Sequence, residues 1–124
     1  MPVKVFFDGG CRPNPGAMEL AVVARGRALV RHDLGDGTSF DAEWLALIEA
    51  LRVALTLDAP EIVLLGDAAT VIAQANGRMK CRGVAIAHRA TFRALLPPGL
   101  APRVRYIKRE QNLAGIALAR RRLA

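Results

Sequence analysis

Two short apolar runs on either side of a long helical segment constrain the fold of this chain most strongly. The runs are VKVFF (Val3–Phe7) and EIVLL (Glu61–Leu65), and glycine and aspartate follow each of them. Short runs of this kind are typical of buried strands. The segment DGTSFDAEWLALIEALRVALTL lies between them and repeats apolar residues at three- and four-residue steps, which predicts an amphipathic helix with Asp41 as its N-cap. Two strands joined through such a crossover can be parallel neighbours in one sheet.

The remaining segments complete an α/β pattern. AMELAVVARG and RALVRHDL predict two strands joined by a hairpin at Arg25-Gly26. Downstream of Glu61–Leu65 the chain predicts two helices (ATVIAQANG and GVAIAHRATFRALLPPG), a half-exposed strand at Arg103–Ile107 and a last helix (LAGIALARRRLA) capped by Asn112. The element order βββαβααβα predicts a five-stranded mixed sheet flanked by helices. Because no linker or repeat interrupts this pattern, we expect residues 1–124 to form a single domain.

Composition narrows the class of function. The chain is 52% apolar and 23% charged, as in a globular protein, and lacks an uninterrupted apolar run of the roughly 20 residues that a membrane span requires. Cys11 and Cys81 are far apart and form no C-x-x-C pair, so we expect reduced thiols and a cytoplasmic location. The net charge of +7 favours a polyanionic partner such as nucleic acid. The alternative is that these charges only solvate the surface.

Three carboxylates are predicted to meet at one edge of the sheet. Asp8 follows the first strand, Asp67 follows the fourth, and Glu43 lies in the first turn of the crossover helix. Open α/β sheets bind ligands at the carboxyl ends of their strands, and oxygen ligands of this kind favour Mg²⁺ or Mn²⁺. Two such ions can support phosphodiester hydrolysis. Taken singly, these residues also fit ordinary roles: a turn residue, a helix N-cap and a charge that complements a helix dipole.

The segment GGCRPNPG after Asp8 is predicted to be a loop. Its glycines allow a substrate to approach the backbone closely, and its N–H groups can act as donors. Other catalytic chemistries have weak support, because Ser39 is the only serine and His88 has no evident partner.

Four blocks of the chain resemble type 1 ribonuclease H, and together they cover nearly all of it. They are, in order, DGGCRPNPGA, TSFDAEWLALIEAL, GDAATVIAQANG and VRYIKREQNLAGIALA. The resemblance implies cleavage of the RNA strand of RNA–DNA hybrids with two Mg²⁺ ions held by four carboxylates. It assigns metal ligation and catalysis to Asp8, Glu43 and Asp67. It assigns substrate contacts, including a reading of the RNA 2′-OH group, to Gly9, Gly10, Cys11, Asn14, Thr38, Ser39 and Phe40.

Departures from the family pattern fall on metal and substrate contacts. The final block, N-x-x-A-D-x-L-A in the family, here reads NLAGIALA and holds no aspartate. The resemblance therefore implies that a fourth carboxylate is missing, which we assign to Gly115, with Glu110 and Asn112 as possible substitute ligands. The family's T-N-N is Thr38-Ser39-Phe40, which loses two amides that usually contact the hybrid.

The sequence thus predicts a monomeric, metal-dependent endoribonuclease acting on RNA–DNA hybrids and weakened by the loss of one carboxylate. Two alternatives stay open at this point. One is a non-catalytic protein that binds hybrids or other nucleic acids, and the other is a metal-dependent DNA nuclease of the same fold.

Overall fold

The computed structural model describes residues 1–100 and 102–123, the side chains of residues 122 and 123 excepted. A 3₁₀ turn, Arg109–Gln111, precedes the last helix. The strands and helices are β1 (Val3–Cys11), β2 (Gly16–Ala24), β3 (Arg27–Arg31), β4 (Asp36–Gly37), α1 (Ser39–Thr56), β5 (Ile62–Gly66), α2 (Ala69–Ala75), α3 (Val84–Ala94), β6 (Arg103–Tyr106) and α4 (Leu113–Leu123). None of the described helices is both long and apolar enough to span a membrane.

The predicted mixed sheet is confirmed, with one short strand added. Its order is β3-β2-β1-β5-β6, antiparallel among the first three strands and parallel from β1 to β6. The predicted hairpin is also present, since β2 and β3 pair antiparallel up to Ala24 and Arg27. The two turn residues, Arg25 and Gly26, both have positive φ, at 51° and 76°. The sequence pattern placed Asp36-Gly37 ahead of the helix N-cap and predicted no strand there, but these residues form β4, which pairs with Gly16 and Ala17 of β2.

Strand β1 is longer than predicted, and the predicted glycine loop is wrong in its bounds. Gly9 and Gly10 pair with Leu20 and Glu19 of β2, and the strand ends only at Cys11. Asp8 therefore lies inside a strand. Two adjacent glycines usually weaken a strand, but the partner strand β2 continues beside them and supplies the pairing.

Helix α1 begins with a capping box in which Thr38, not Asp41, is the N-cap. The Thr38 hydroxyl oxygen accepts from the Asp41 backbone N–H at 3.1 Å, and the Asp41 carboxylate accepts from the Thr38 backbone N–H at 3.3 Å. The predicted N-cap is therefore wrong by one helical turn. The side chain of Asp41 closes the box from the third helical position, as an acidic residue can do there.

The core has two layers, one on each face of the sheet. On one face α1 packs through Trp44, Leu47 and Leu51 against β1 and β5, with α2 and α3 beside it. On the other face Ala114 and Leu118 of α4 pack against β2. This arrangement leaves the carboxyl ends of β1 and β5 between the start of α1 and the start of α4.

Candidate active site

Asp8 and Asp67 occupy equivalent places on two parallel strands. The parallel register pairs Phe6 of β1 with Leu65 of β5. Asp8 lies two residues after Phe6, within β1, and Asp67 lies two residues after Leu65, just past the end of β5. The predicted parallel neighbours are confirmed. Both carboxylates consequently emerge at the same edge of the sheet.

Glu43 reaches this edge because Gly9 has no side chain. A Cβ atom on Gly9 would lie 2.1 Å from the Ala42 carbonyl oxygen and 2.9 Å from the Glu43 backbone nitrogen. No real Cβ atom tolerates these distances, so any larger residue would push α1 away from β1. Gly9 therefore fixes the approach of the helix that carries Glu43, a role different from the substrate contact that the sequence predicts for it.

Asn112 joins the two aspartate-bearing strands to α4. Its side chain is fully buried, and its Nδ2 donates to the Phe7 carbonyl at 3.0 Å and to Asp67 Oδ1 at 2.7 Å. Its Oδ1 accepts from the Ala114 backbone N–H at 3.1 Å, so the predicted cap at the start of α4 is confirmed. An amide that is committed in this way is poorly placed to bind a metal, and the geometry argues against Asn112 as a substitute ligand.

Burial and the two neighbouring carboxylates together perturb the pKa of Glu43. Burial, followed by the charges of Asp8 and Asp67, raises the pKa of Glu43 from 4.5 to about 7. Arg109 opposes this shift and lies with its Nε 3.7 Å from Asp67 Oδ2. The sequence pattern did not single out Arg109, which occupies the exposed 3₁₀ turn before α4.

The raised pKa of Glu43 makes the stability of the metal-free protein depend on pH. Between pH 4.5 and about 7 the unfolded chain binds fewer protons at Glu43 than the folded chain, so stability falls as pH rises and levels off above about pH 7. Glu43→Gln is expected to stabilise the protein by roughly 1–3 kcal/mol at pH 8 and to have little effect at pH 4. Urea unfolding in EDTA at both pH values measures this difference.

Glu49→Gln is the matched control for that measurement, because it lies on the same helix and its carboxylate is paired with Arg31 and Arg52. This variant is expected to gain no stability at pH 8. An equal gain for Glu43→Gln at pH 4 and pH 8 would contradict the repulsion argument.

The carboxylates fit a hard divalent cation by chemistry, although they do not form a ready-made ligand sphere. Within residues 1–100 and 102–123, no three His, Cys, Asp or Glu side chains are grouped so as to hold a metal ion. However, all three side chains offer oxygen atoms, and a cation would offset both the burial of Glu43 and its repulsion by Asp8 and Asp67. A bound cation would replace Arg109 as the ionic partner of Asp67, and the Arg109 side chain is free to move away because it is 88% exposed.

A cleft of about 330 Å³ opens beside Asp8 and Asp67. Glu110 lines it and so stays a candidate ligand. The other lining residues are Arg12, Arg109, Gly115, Ile116 and Ala119. The cleft therefore combines carboxylates with two arginines and one apolar wall from α4.

The missing fourth carboxylate, assigned above to Gly115, corresponds instead to Ile116. Counted from Asn112, the aspartate of N-x-x-A-D-x-L-A falls on Ile116, and the alanine before it falls on Gly115. The structure places both positions at the cleft: a Cβ atom on Gly115 would lie 3.5 Å from Asp8 Oδ2, and Ile116 is 38% exposed in the lining. The family's carboxylate is thus replaced by an isoleucine, next to a glycine.

Four of the predicted substrate residues surround the start of α1. Asn14 Oδ1 accepts from the Ser39 backbone N–H at 3.0 Å and lies 3.5 Å from Cys11 Sγ, while Thr38 caps the helix. Cys11 is buried, and Phe40 packs against the main core. Gly10 lies in β1. For all of these residues, contact with a substrate stays a prediction.

His88 has a partner that the sequence did not suggest. Its Nε2 lies 2.8 Å from Asp41 Oδ1, and its ring stacks on Trp44 at 6.1 Å between centroids. Trp44 in turn donates to Gln74 Oε1 at 3.2 Å. These contacts tie α3 and α2 to the turn of α1 that carries Glu43. No sequence motif links positions so far apart, and only the tertiary packing reveals them.

Comparison with known proteins gives the class of this fold and site. A family model described as reverse transcriptase-like matches residues 6–122. Ribonuclease H1 from the halophilic archaeon Halobacterium salinarum NRC-1 is 30% identical, with 95% of this chain and 94% of that chain covered and a TM-score of 0.80. The N-terminal RNase H domain of Rv2228c from Mycobacterium tuberculosis, solved as a fusion with maltose-binding protein, is 26% identical over 99% of each chain, with a TM-score of 0.77.

A third structure, LC11-RNase H1 in complex with an RNA/DNA hybrid, is 24% identical. The match covers 90% of this chain and 88% of that chain, with a TM-score of 0.73, and it supports the fold alone. No curated protein sequence matches the chain. The family model and the archaeal enzyme together establish that the chain belongs to the ribonuclease H family.

Proposed function

We propose that this protein is a divalent-metal-dependent endoribonuclease that hydrolyses the RNA strand of RNA–DNA hybrids. The observation that carries the proposal is the meeting of Asp8, Glu43 and Asp67 from three different elements, where burial and then the charges of Asp8 and Asp67 raise the pKa of Glu43 to about 7. A carboxyl group with a strongly raised pKa, beside a cleft that Asp8 and Asp67 line, is typical of catalytic sites. Membership of the ribonuclease H family, shown by the family model and the 30% identical archaeal ribonuclease H1, supports the choice of substrate.

In this proposal Asp8, Glu43 and Asp67 hold Mg²⁺ or Mn²⁺ through their oxygen atoms. A bound cation of this kind supplies a water of lowered pKa and stabilises charge on the phosphate. Asn112 fixes the direction of Asp67 through its 2.7 Å hydrogen bond, and Arg12 and Arg109 line the cleft where they can contact phosphate oxygens.

The substrate side of the site is the start of α1. Asn14 uses its Oδ1 for the Ser39 backbone N–H, so its NH₂ group is the part that can donate to a sugar or phosphate. The N-terminal end of a helix also favours phosphate groups. We place the RNA strand between this end of α1 and the carboxylate cleft.

A second candidate function has a specific observation in its favour. Ile116 takes the place of the family's aspartate, and Arg109 is ion-paired with Asp67. Both features lower the capacity of the site for metal ions. A protein that binds hybrids without cutting them would carry such changes at no cost to its fold.

Incubation of labelled substrates separates these functions. RNA–DNA hybrid, double-stranded DNA and double-stranded RNA are each mixed with the protein in Mg²⁺, Mn²⁺ or EDTA. We expect cleavage of the hybrid alone, only with metal, and hybrid binding that weakens as salt is added because phosphate contacts release counterions. Salt-dependent binding without cleavage would instead support the hybrid-binding protein, and cleavage of DNA would support a DNA nuclease.

A further inference from the structure

Strand β6 forms one outer edge of the sheet, and a groove of about 550 Å³ runs along it. Three arginines, Arg78, Arg103 and Arg105, line this groove together with Tyr106. No acidic side chain lines it in the part of the chain that the structure describes. The groove is therefore concave, cationic and separate from the carboxylate cleft.

The arginines of the groove are available for an external anion. Arg103 and Arg105 lie on the same face of β6, opposite the buried Val104, and are spaced by about 6.6 Å along the strand. Among the described residues, neither they nor Arg78 make an ion pair, whereas Arg31 is paired with Asp33 and Glu49. Unpaired arginines in a groove favour phosphate groups, which their planar donors match.

An exposed aromatic side chain accompanies these charges. Tyr106 is the only tyrosine of the chain and is 56% exposed. A cationic groove with an aromatic ring on which bases can stack is the usual design of a site for single-stranded nucleic acid. By the alternation of the strand, Tyr106 lies on the Val104 side and the two arginines lie on the other, and side chains from both sides line the groove at this edge.

The geometry disfavours a protein segment as the occupant. A peptide that added a strand to the edge would need the outer backbone groups of β6. Asn76 Nδ2 already donates to the Val104 carbonyl oxygen at 2.8 Å, which blocks that edge.

The groove and the carboxylate cleft share no lining residue, but the chain leads directly from one to the other. β6 leads into Ile107, whose N–H donates to the Gly66 carbonyl at 2.8 Å, and then into Arg109 beside Asp67. We propose that this groove binds single-stranded nucleic acid, with bases stacked on Tyr106 and phosphates on the arginines. The binding of single-stranded nucleic acid in the groove does not depend on the proposed function. The identification of that nucleic acid as the segment flanking a hybrid in the cleft does rest on the proposed function.

Fluorescence anisotropy with labelled single-stranded DNA or RNA tests the proposal, in EDTA so that nothing is cut. The Arg103→Gln/Arg105→Gln variant is expected to bind about tenfold more weakly, with a log–log salt dependence shallower by about 1.4, since each phosphate contact on a single strand contributes about 0.7. Tyr106→Ala is expected to lose about fivefold or more, and Tyr106→Phe should retain wild-type affinity because it keeps the stacking ring. DNA and RNA are expected to bind alike, because phosphates and base faces are common to both.

The control variant Arg25→Gln/Arg27→Gln removes the same amount of charge at the β2–β3 turn, near the opposite edge of the sheet. Equal weakening by the control and the groove variants would overturn the proposal, as would displacement of the strand by poly-glutamate as effectively as by unlabelled DNA. Groove-dependent binding in a protein that never cuts hybrid would refute the proposed nuclease and leave the groove intact. Hybrid cleavage without groove-dependent binding would refute the groove alone.

Discussion

Replacing Asp8 by asparagine is expected to lower the rate of hybrid cleavage by about three orders of magnitude, and Asp67→Asn should have a similar effect. An amide carries no charge to hold a divalent cation, and the cation supplies several kcal/mol of transition-state stabilisation, with each 1.4 kcal/mol worth tenfold in rate. Initial rates on a labelled hybrid, measured across a Mg²⁺ titration, check the prediction.

The fold is expected to survive these changes, because asparagine has nearly the shape of aspartate and lowers the repulsion on Glu43. Thermal unfolding in EDTA should therefore show no loss of stability for Asp8→Asn. Asp58→Asn serves as the matched control, since Asp58 is exposed and precedes β5, whereas Asp67 follows the opposite end of that strand. Wild-type rates in either active-site variant would mean that the cleft is not the catalytic site.

The second large effect is a gain of function at Ile116. Ile116→Asp restores a carboxylate at the place the family motif assigns to it, on the wall of the cleft beside Asp8. Even outer contacts of a metal site commonly change affinity or activity by about 10- to 100-fold. We expect a gain in hybrid cleavage of about this size and a lower Mg²⁺ concentration for half-maximal rate.

Two further variants give that experiment its controls. Ile116→Asn has the same shape without the charge and should bring no gain. Gly115→Asp would place its Cβ atom 3.5 Å from Asp8 Oδ2, beside an existing negative charge and at the position where the family motif has alanine, so it should help less. The vacant-ligand idea fails if Ile116→Asp changes neither the rate nor the Mg²⁺ requirement.

Much of the fold follows from local patterns. The strand runs, the amphipathic helix and the Arg25-Gly26 hairpin are all present. The errors occur where a distant partner decides the structure. Gly9 and Gly10 look like a strand end in sequence, but β2 extends alongside and keeps them in β1. Asp36-Gly37 has no strand pattern of its own, but pairing with Gly16 and Ala17 makes it a strand.

The candidate site shows the same division. Two parallel strands and a helical crossover bring Asp8, Glu43 and Asp67 to one edge, and sequence reasoning anticipates this meeting. It did not identify Arg109 as the countercharge of Asp67, because an exposed arginine in a basic chain carries no distinctive pattern. It also treated Asn112 as a possible ligand. Only the buried hydrogen bonds to Phe7 and Asp67 show that this amide is already occupied.

The hydrogen bond from Asn112 to the Phe7 carbonyl spans 105 positions of the chain. A ribosome releases the polypeptide from its amino end, so β1 emerges long before the partner that secures its carboxyl end. The antiparallel hairpins and α1 can fold while synthesis continues, since they need only nearby residues. Asp67, however, receives its orienting donor only when the last turn and helix have been made. We therefore expect a nascent chain to orient Asp67 only after the segment that contains Asn112 and α4 has been synthesised, so that shorter intermediates can hold the early strands without a complete carboxylate cleft.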